Sequence, residues 1–327
     1  GTHVYDVDER NAVVFVGMRD GMTKGFSLVR REEAKVSILD SAFMLGDGVW
    51  EGIRLHKGVL TAADEHVRRL FEGAKAIDMD LAVSPRELVD MVYAACDANG
   101  MESDVHIRLM VSRGLKPTPY QDPGTTLGIP TIVILPEHKR ASSGPKTKGI
   151  SLFTVHVRRG APDVQDPMWN SHSKLNCISA CIQAKKAGAD EGLMLDPNGF
   201  VATCNSVNFF AVRGGELWVP TRKYQMHGIT RQRTLDLAKK AGIPTRELDF
   251  TLTEVYSADE CFVTGTFAGQ IPVVEVDGRI IGNGERGPIV ARLQELYAND
   301  VDQESQKGRR LERFSTDIPP IRRVKNA

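Results

Sequence analysis

Apolar and polar positions alternate with two different periods along this chain, and both halves carry strands and helices in turn. The run Asn11-Ala12-Val13-Val14-Phe15-Val16 is rich in β-formers, and Asp20-Gly21 follows as a turn signal, which predicts a strand pair at the start. Residues 43–55 are punctuated by Gly46, Gly48 and Gly52 between bulky side chains, the pattern of a strand whose backbone is approached closely. Lys57-Gly58 makes a turn. Asp64 then opens a helix with Val67, Leu70, Phe71 and Ala74 on one face and Arg68 and Arg69 beside them. Pro85 and Gly100 bracket a second helix over 85–98. Alternation from Val105 to Val111 predicts a strand, and the apolar run between Pro130 and Pro136 predicts another.

A break in composition follows. Residues 137–149 (EHKRASSGPKTKG) are polar, basic and rich in Gly, Ser and Pro. The expected division is an N-terminal α/β domain over 1–137, a linker over 138–149, a C-terminal domain over 150–302 and a basic tail over 303–327. The second half predicts a strand at 150–157, a Pro/Asp-rich loop at 160–168 and a helix at 175–187. Hairpin strands follow at 191–195 and 200–204 around Asp196-Pro197-Asn198-Gly199, then a strand at 207–212, a helix at 230–241, strands at 259–264 and 271–276, and a last helix at 287–299. The tail carries seven Lys/Arg against three Asp/Glu with Phe314 as its one aromatic, and reads as a solvated or subunit-wrapping arm.

Charge narrows the partners. Forty-two Lys+Arg balance 42 Asp+Glu, so no global excess of basic charge is present to grip nucleic acid or an anionic membrane. No apolar run approaches the ~20 residues of a membrane span, and the first residues show neither the basic nor the apolar region of a secretory signal. A cytoplasmic protein is expected. Its five cysteines include no CxxC pair, and Cys177 and Cys181, four apart on one helix, read as small buried residues. The eight histidines form no HxxxH or HExxH pair, so no protein-built metal site is expected.

Three segments could carry chemistry. Lys174 stands at the mouth of an apolar helix, among small polar and apolar residues rather than carboxylates. Desolvation and the positive helix end disfavour its charged form, as a Schiff-base lysine requires; a plain exposed lysine is the alternative. Gly228-Ile229-Thr230-Arg231 opens another helix, whose N-terminal amides form either a phosphate site or an ordinary end capped by Thr230. Residues 263–269 (VTGTFAG) run from a strand into a small-residue loop, suited to a ligand's close approach or to a plain turn.

In order along the chain stand GDGVWEGIR (46–54), DEHVRRL (64–70), HSKLN (172–176), DEGLMLDPNGFV (190–201), NFF (208–210), HGITR (227–231), ADECFVTGT (258–266) and PVVEVDGRIIGNG (272–284). Together they resemble the class IV aminotransferases of pyridoxal phosphate fold type IV, the branched-chain aminotransferases and their D-amino-acid relatives. The resemblance implies an α/β (α+β) fold of two domains, the smaller N-terminal and the larger built on a mixed, barrel-like sheet. It implies pyridoxal 5′-phosphate as cofactor and a homodimer or larger assembly, with the active site between the two domains at the dimer interface. The implied reaction moves an amino group between an amino acid or amine and a 2-oxo acid. A lyase of the aminodeoxychorismate type and a low-turnover cofactor-binding homologue are the alternatives.

Residue by residue, Lys174 matches the lysine that attaches the cofactor and shuttles the substrate α-proton. Arg69 matches the arginine on the cofactor phosphate, a role suited to a planar guanidinium fork. Ile229, Thr230 and Thr266 match further phosphate contacts, and Leu217 a residue near the ring face. One position departs from the family: where a glutamate pairs with the pyridine nitrogen, this chain has Thr203, and a hydroxyl offers only a neutral hydrogen bond there. On the substrate side, Trp50 replaces a phenylalanine in the segment ending at Arg54, and His106 replaces a tyrosine two residues before Arg108, the expected anchor for an acidic side chain. Thr118 and Tyr120 stand where D-amino-acid enzymes carry a carboxylate trap. Leu45 and Phe267 mark a pocket of unusual outline.

Overall fold

The computed structural model describes residues 8–141 and 143–309; the rest of the basic tail lies outside the described residues. The chain divides into two compact units. The N-terminal unit is built on residues 8–140 and also takes in Trp169–Ser173 and the segment from Gln303; the C-terminal unit comprises Ala141–Met168 and Lys174–Asp302.

The N-terminal unit is a six-stranded antiparallel sheet with one helical face. Its strands are β1 (Phe15–Arg19), β2 (Ser27–Arg30), β3 (Gly48–His56), β4 (Val59–Leu60), β5 (Val105–Ser112) and β6 (Thr131–His138), in the spatial order β2-β1-β6-β5-β3-β4. Its helices are α1 (Ser41–Leu45), α2 (Ala63–Ala76) and α3 (Pro85–Asp97). Val67, Leu70 and Ala74 of α2 and Leu88, Val89 and Val92 of α3 pack with Ile53, Leu55, Ile107 and Leu109 in one core. α3 begins with a capping box, in which Ser84 and Glu87 satisfy each other's backbone donors, and Pro85 sits in the first turn.

Two expectations change here. The first half of the β-rich run at 11–16 belongs to a 3-10 turn over Glu9–Val13, because Asp8 caps it through Arg10 N, and the strand begins only at Phe15. The glycine-punctuated stretch begins as α1, which Gly46 ends at φ +68° before β3 starts. The close approach to the backbone of β3 comes from the protein itself: a Cβ on Gly48 would stand 2.7 Å from His172 Cδ2.

The C-terminal unit is a nine-stranded mixed sheet. Its strands are β7 (Ile150–Thr154), β8 (Glu191–Leu195), β9 (Val201–Cys204), β10 (Asn208–Arg213), β11 (Glu216–Val219), β12 (Thr245–Glu247), β13 (Glu260–Gly265), β14 (Gly269–Val276) and β15 (Arg279–Ile280). They run in the order β12-β11-β10-β13-β14-β7-β8-β9, with β15 paired to β14. The pairs β11–β12, β7–β14 and β7–β8 are parallel, the others antiparallel. The helices are α4 (Ser143–Lys148), α5 (Pro162–Gln165), α6 (Leu175–Lys186), α7 (Ile229–Lys240), α8 (Leu252–Tyr256) and α9 (Pro288–Gln306). The segment read as a linker thus ends β6 and forms α4.

Strand alternation gives this sheet two unlike faces. Leu193, Cys204, Phe209, Cys261, Val263, Ile271 and Val273 fill one core. Phe210, Val212, Leu217 and Phe262 fill another with Ala238 of α7 and Leu293 of α9, and Met194 packs on Ala180 and Ala184 of α6. α6 corrects a further expectation. Its alanines make the buried stripe, so Cys177 and Cys181 are only half-buried, and Leu175, Ile178 and Ile182 point away from the sheet.

Candidate cofactor site

Lys174 is the N-cap of α6 and half-buried, and the chain enters the C-terminal unit at this residue. The residues just before it are tied to β3 of the N-terminal unit. Trp50 N donates to Asn170 O at 2.9 Å and His172 N to Gly48 O at 3.0 Å. The Trp50 indole N–H donates to Ser171 O at 3.1 Å, a bond that a phenylalanine cannot make.

α7 begins without a side-chain cap. Its N-cap is Gly228, which has no side chain to offer, and Thr230, read as a possible cap, lies inside the first turn and is buried. The carbonyl of Thr230 accepts from Thr234 Oγ1 at 2.7 Å. Arg231, 1% exposed, donates to Pro220 O and Glu247; burial pulls its pKa down and Glu247 opposes this.

Register places several polar side chains on the face that α6 and α7 cover. Asn208 pairs with Thr264, and Thr264 with Gln270, whose side chain donates to Thr234 of α7 at 2.8 Å. Thr264 is 2% exposed, and its hydroxyl has no hydrogen-bond partner among the described residues. Thr266 stands in the three-residue loop between Gly265 and Gly269, and Gly269 adopts the φ of +71° that such a hairpin requires. An uncapped helix N-terminus and an orphaned buried hydroxyl on one face suit a phosphate monoester, which supplies acceptors to both.

Thr203 pairs with Met194 and shares that helix-covered face. Its hydroxyl donates to Val207 O at 3.0 Å, so a lone pair is what it retains for another group. The neutral hydrogen bond expected of it is therefore one it can accept, not donate. Glu191 lies elsewhere: it shares the opposite face with Leu193 and Cys204 and accepts from Ser206 Oγ at 2.5 Å. Burial beside Glu191 and Cys261 drives the Cys204 thiol well above its usual pKa, leaving it inert.

In the N-terminal unit, β3 separates the expected site residues onto two faces. Glu51, fully buried on the helical face, accepts from Arg69 Nε at 2.7 Å and Nη2 at 2.6 Å, and lies 2.6 Å from His66 Nδ1. Burial raises the carboxyl's pKa, but Arg69 and His66 outweigh it and hold Glu51 below the usual carboxylate range. Trp50, Arg54, His106 and Arg108 lie on the other face: Arg54 pairs with His106, and Gly52 with Arg108. The Arg108 guanidinium stacks on the Trp50 ring at 3.3 Å, and Arg54 lies 3.7 Å from Asp104. Lys139, just past β6, joins this group. Burial depresses its pKa, and Arg108 and Arg54 depress it further against the pull of Glu137.

Other expected residues fall elsewhere. Leu217 is fully buried in the core beneath α7 and α9, so it is a packing residue rather than a ring contact. Phe267 is buried in the opposite core, Leu45 is 37% exposed, and Tyr120 lies exposed in a loop. Asn208, Thr264, Glu51, His66 and Lys139 were not singled out by the sequence pattern. For Glu51 a signal existed, since a carboxylate inside an apolar strand needs a buried cation.

Residues 48–276 match the model of the family described as amino-transferase class IV. A putative branched-chain-amino-acid aminotransferase of Methanocaldococcus jannaschii is 40% identical over 82% of this chain and 92% of its own length. Branched-chain-amino-acid aminotransferase-like protein 2 of Arabidopsis thaliana is 36% identical over 85% of this chain, which spans about half the length of that relative. The branched-chain aminotransferase of the thermophilic archaeon Thermoproteus uzoniensis, solved with norvaline, superposes with a TM-score of 0.80 at 31% identity, covering 90% of this chain and 97% of the other. The two-domain fold and these matches define the class: the chain belongs to the class IV aminotransferases.

Proposed function

We propose that this chain is a pyridoxal phosphate-dependent transaminase that moves the amino group between an amino acid and a 2-oxo acid. The observation that carries the reading is Lys174 at the opening of α6 in a member of this family, on a unit that also presents the uncapped end of α7. Bound pyridoxal phosphate would supply an electron-withdrawing ring beside the substrate α-carbon. Lys174 would provide the amine that attaches it and the base that moves the substrate α-proton. The amides of Ile229 and Thr230 and the hydroxyls of Thr230 and Thr266 would hold the phosphate in the C-terminal unit, and the resemblance assigns the Arg69 guanidinium, held by Glu51 in the N-terminal unit, to the same group. Thr203, with its proton given to Val207 O, would offer only a neutral acceptor to a protonated ring nitrogen, where the resemblance leads one to expect a carboxylate. The Arg54–Arg108–Lys139 group favours an acidic donor or acceptor, with Trp50 holding Arg108 in place. Two or more copies are expected to assemble.

The test is chemical. Borohydride reduction of the holoenzyme should fix a cofactor-sized mass on Lys174, and Lys174→Ala should abolish it; an adduct at the same segment of the variant would overturn the assignment. A donor and acceptor screen distinguishes a transaminase from a lyase, which would release pyruvate without any 2-oxo acid present.

A further inference from the structure

Asn208 lies at the start of β10, 6% exposed, on the face that α7 covers. Its Nδ2 donates to Gln225 Oε1 at 2.8 Å and to Met226 O at 3.0 Å. Gln225, with no exposure at all, passes the connection on: its Nε2 donates to Pro220 O at 2.8 Å and to Thr221 O at 3.0 Å. The chain between β11 and α7 is thereby tied to the sheet through two amide side chains. It ends at Gly228, packed so closely on Asn208 that a Cβ there would overlap Asn208 Oδ1. The φ of Gly228 is −64°, open to any residue, so this glycine is required by contact and not by conformation.

The Asn208 carboxamide therefore sets where the first turn of α7 stands against β10 and β13. That turn has no side-chain cap, and in the register opposite Asn208 is Thr264, a buried hydroxyl with no hydrogen-bond partner among the described residues. We infer that Asn208 is a positioning residue for the phosphate group of the cofactor: with Gln225 it holds the Ile229 and Thr230 amides at one distance from Thr264, so that one anion can meet both. It touches no reacting atom and acts through the helix end. The inference rests on the cofactor reading above and adds to it the residue that builds the phosphate cradle.

The test compares two ligands that differ only in the phosphate. Equilibrium affinities for pyridoxal 5′-phosphate and for pyridoxal are measured by absorbance on wild type, Asn208→Asp and Gly228→Ala. Asn208→Asp keeps the shape but turns an acceptor towards Gln225 Oε1 and Met226 O. Gly228→Ala keeps both amides and displaces the helix end. Each should weaken pyridoxal 5′-phosphate binding about tenfold, the value of one or two lost buried hydrogen bonds, while pyridoxal affinity stays within about twofold. Melting of the apo-proteins checks folding independently. Equal losses for both ligands, or no loss for either, would overturn the positioning role while leaving the cofactor reading standing. Wild type that binds neither ligand would overturn both.

Discussion

Glu51 illustrates how one side chain can be structural and still bear on chemistry. It is fully buried, and its two oxygens are taken by Arg69 and His66. Removing its charge takes the buried carboxylate from a half-buried Arg69 guanidinium, so Glu51→Gln should cost about 3 kcal/mol in urea unfolding. The sign of the pH dependence follows from the lowered pKa. The carboxyl's ordinary value is 4.5 and its folded value lies below that, so its contribution is complete above 4.5 and is lost as pH falls through the folded value. Wild type should lose stability on acidification below about 4.5, and Glu51→Gln should show a flatter acid limb over that range. Thr203 is the opposite kind of residue: a buried hydroxyl whose hydrogen bond to Val207 O shows which half of it is left to use.

Elements divide by how local their causes are. α3 was legible because its start is written in adjacent residues: Ser84, Pro85 and Glu87 form a box that needs no tertiary partner. Ser84→Ala should therefore cost about 1 kcal/mol by thermal or urea denaturation, with no change at the cofactor. The 3-10 turn at Glu9–Val13 was not legible, because the cap by Asp8 overrides the β-propensity of the apolar residues that follow. α6 was predicted within a residue or so, but its buried face was not. Propensity places a helix there, whereas the sheet beneath accepts only the alanine stripe. The substrate-side residues show the same division. Alternation in β3 and β5 predicts two faces, and pairing adds that Trp50, Arg54, His106 and Arg108 share one of them while Glu51 and Arg69 meet on the other.

Across the molecule, each unit owns a separate hydrophobic core, and the groups expected to meet the cofactor are distributed over both. A ligand bound only by the folded state stabilises it by mass action, about 2.7 kcal/mol at a hundredfold excess over Kd. Stripping the cofactor should lower the melting temperature, and adding pyridoxal 5′-phosphate should restore it in proportion to the logarithm of its concentration. Identical melting of the stripped and reloaded protein would count against the cofactor reading. No helix among the described residues is long and apolar enough to cross a membrane, and no metal-holding cluster is present among them.

The family and the two-domain plan could be read from the chain, because they follow from motifs whose order and spacing are local properties of it; the roles expected of Lys174, Arg69, Thr230 and Thr266 are what that resemblance implies. Folding settled which oxygen or proton each group has left to offer: Glu51 engaging Arg69, the Thr203 proton given to Val207, Thr264 without a partner among the described residues, and Asn208 and Gln225 anchoring the end of α7. These contacts join residues from 4 to 18 positions apart or bring separate strands into register. A hydrogen bond is fixed by distance and direction in space, and neither is written in the identity of a residue's neighbours along the chain.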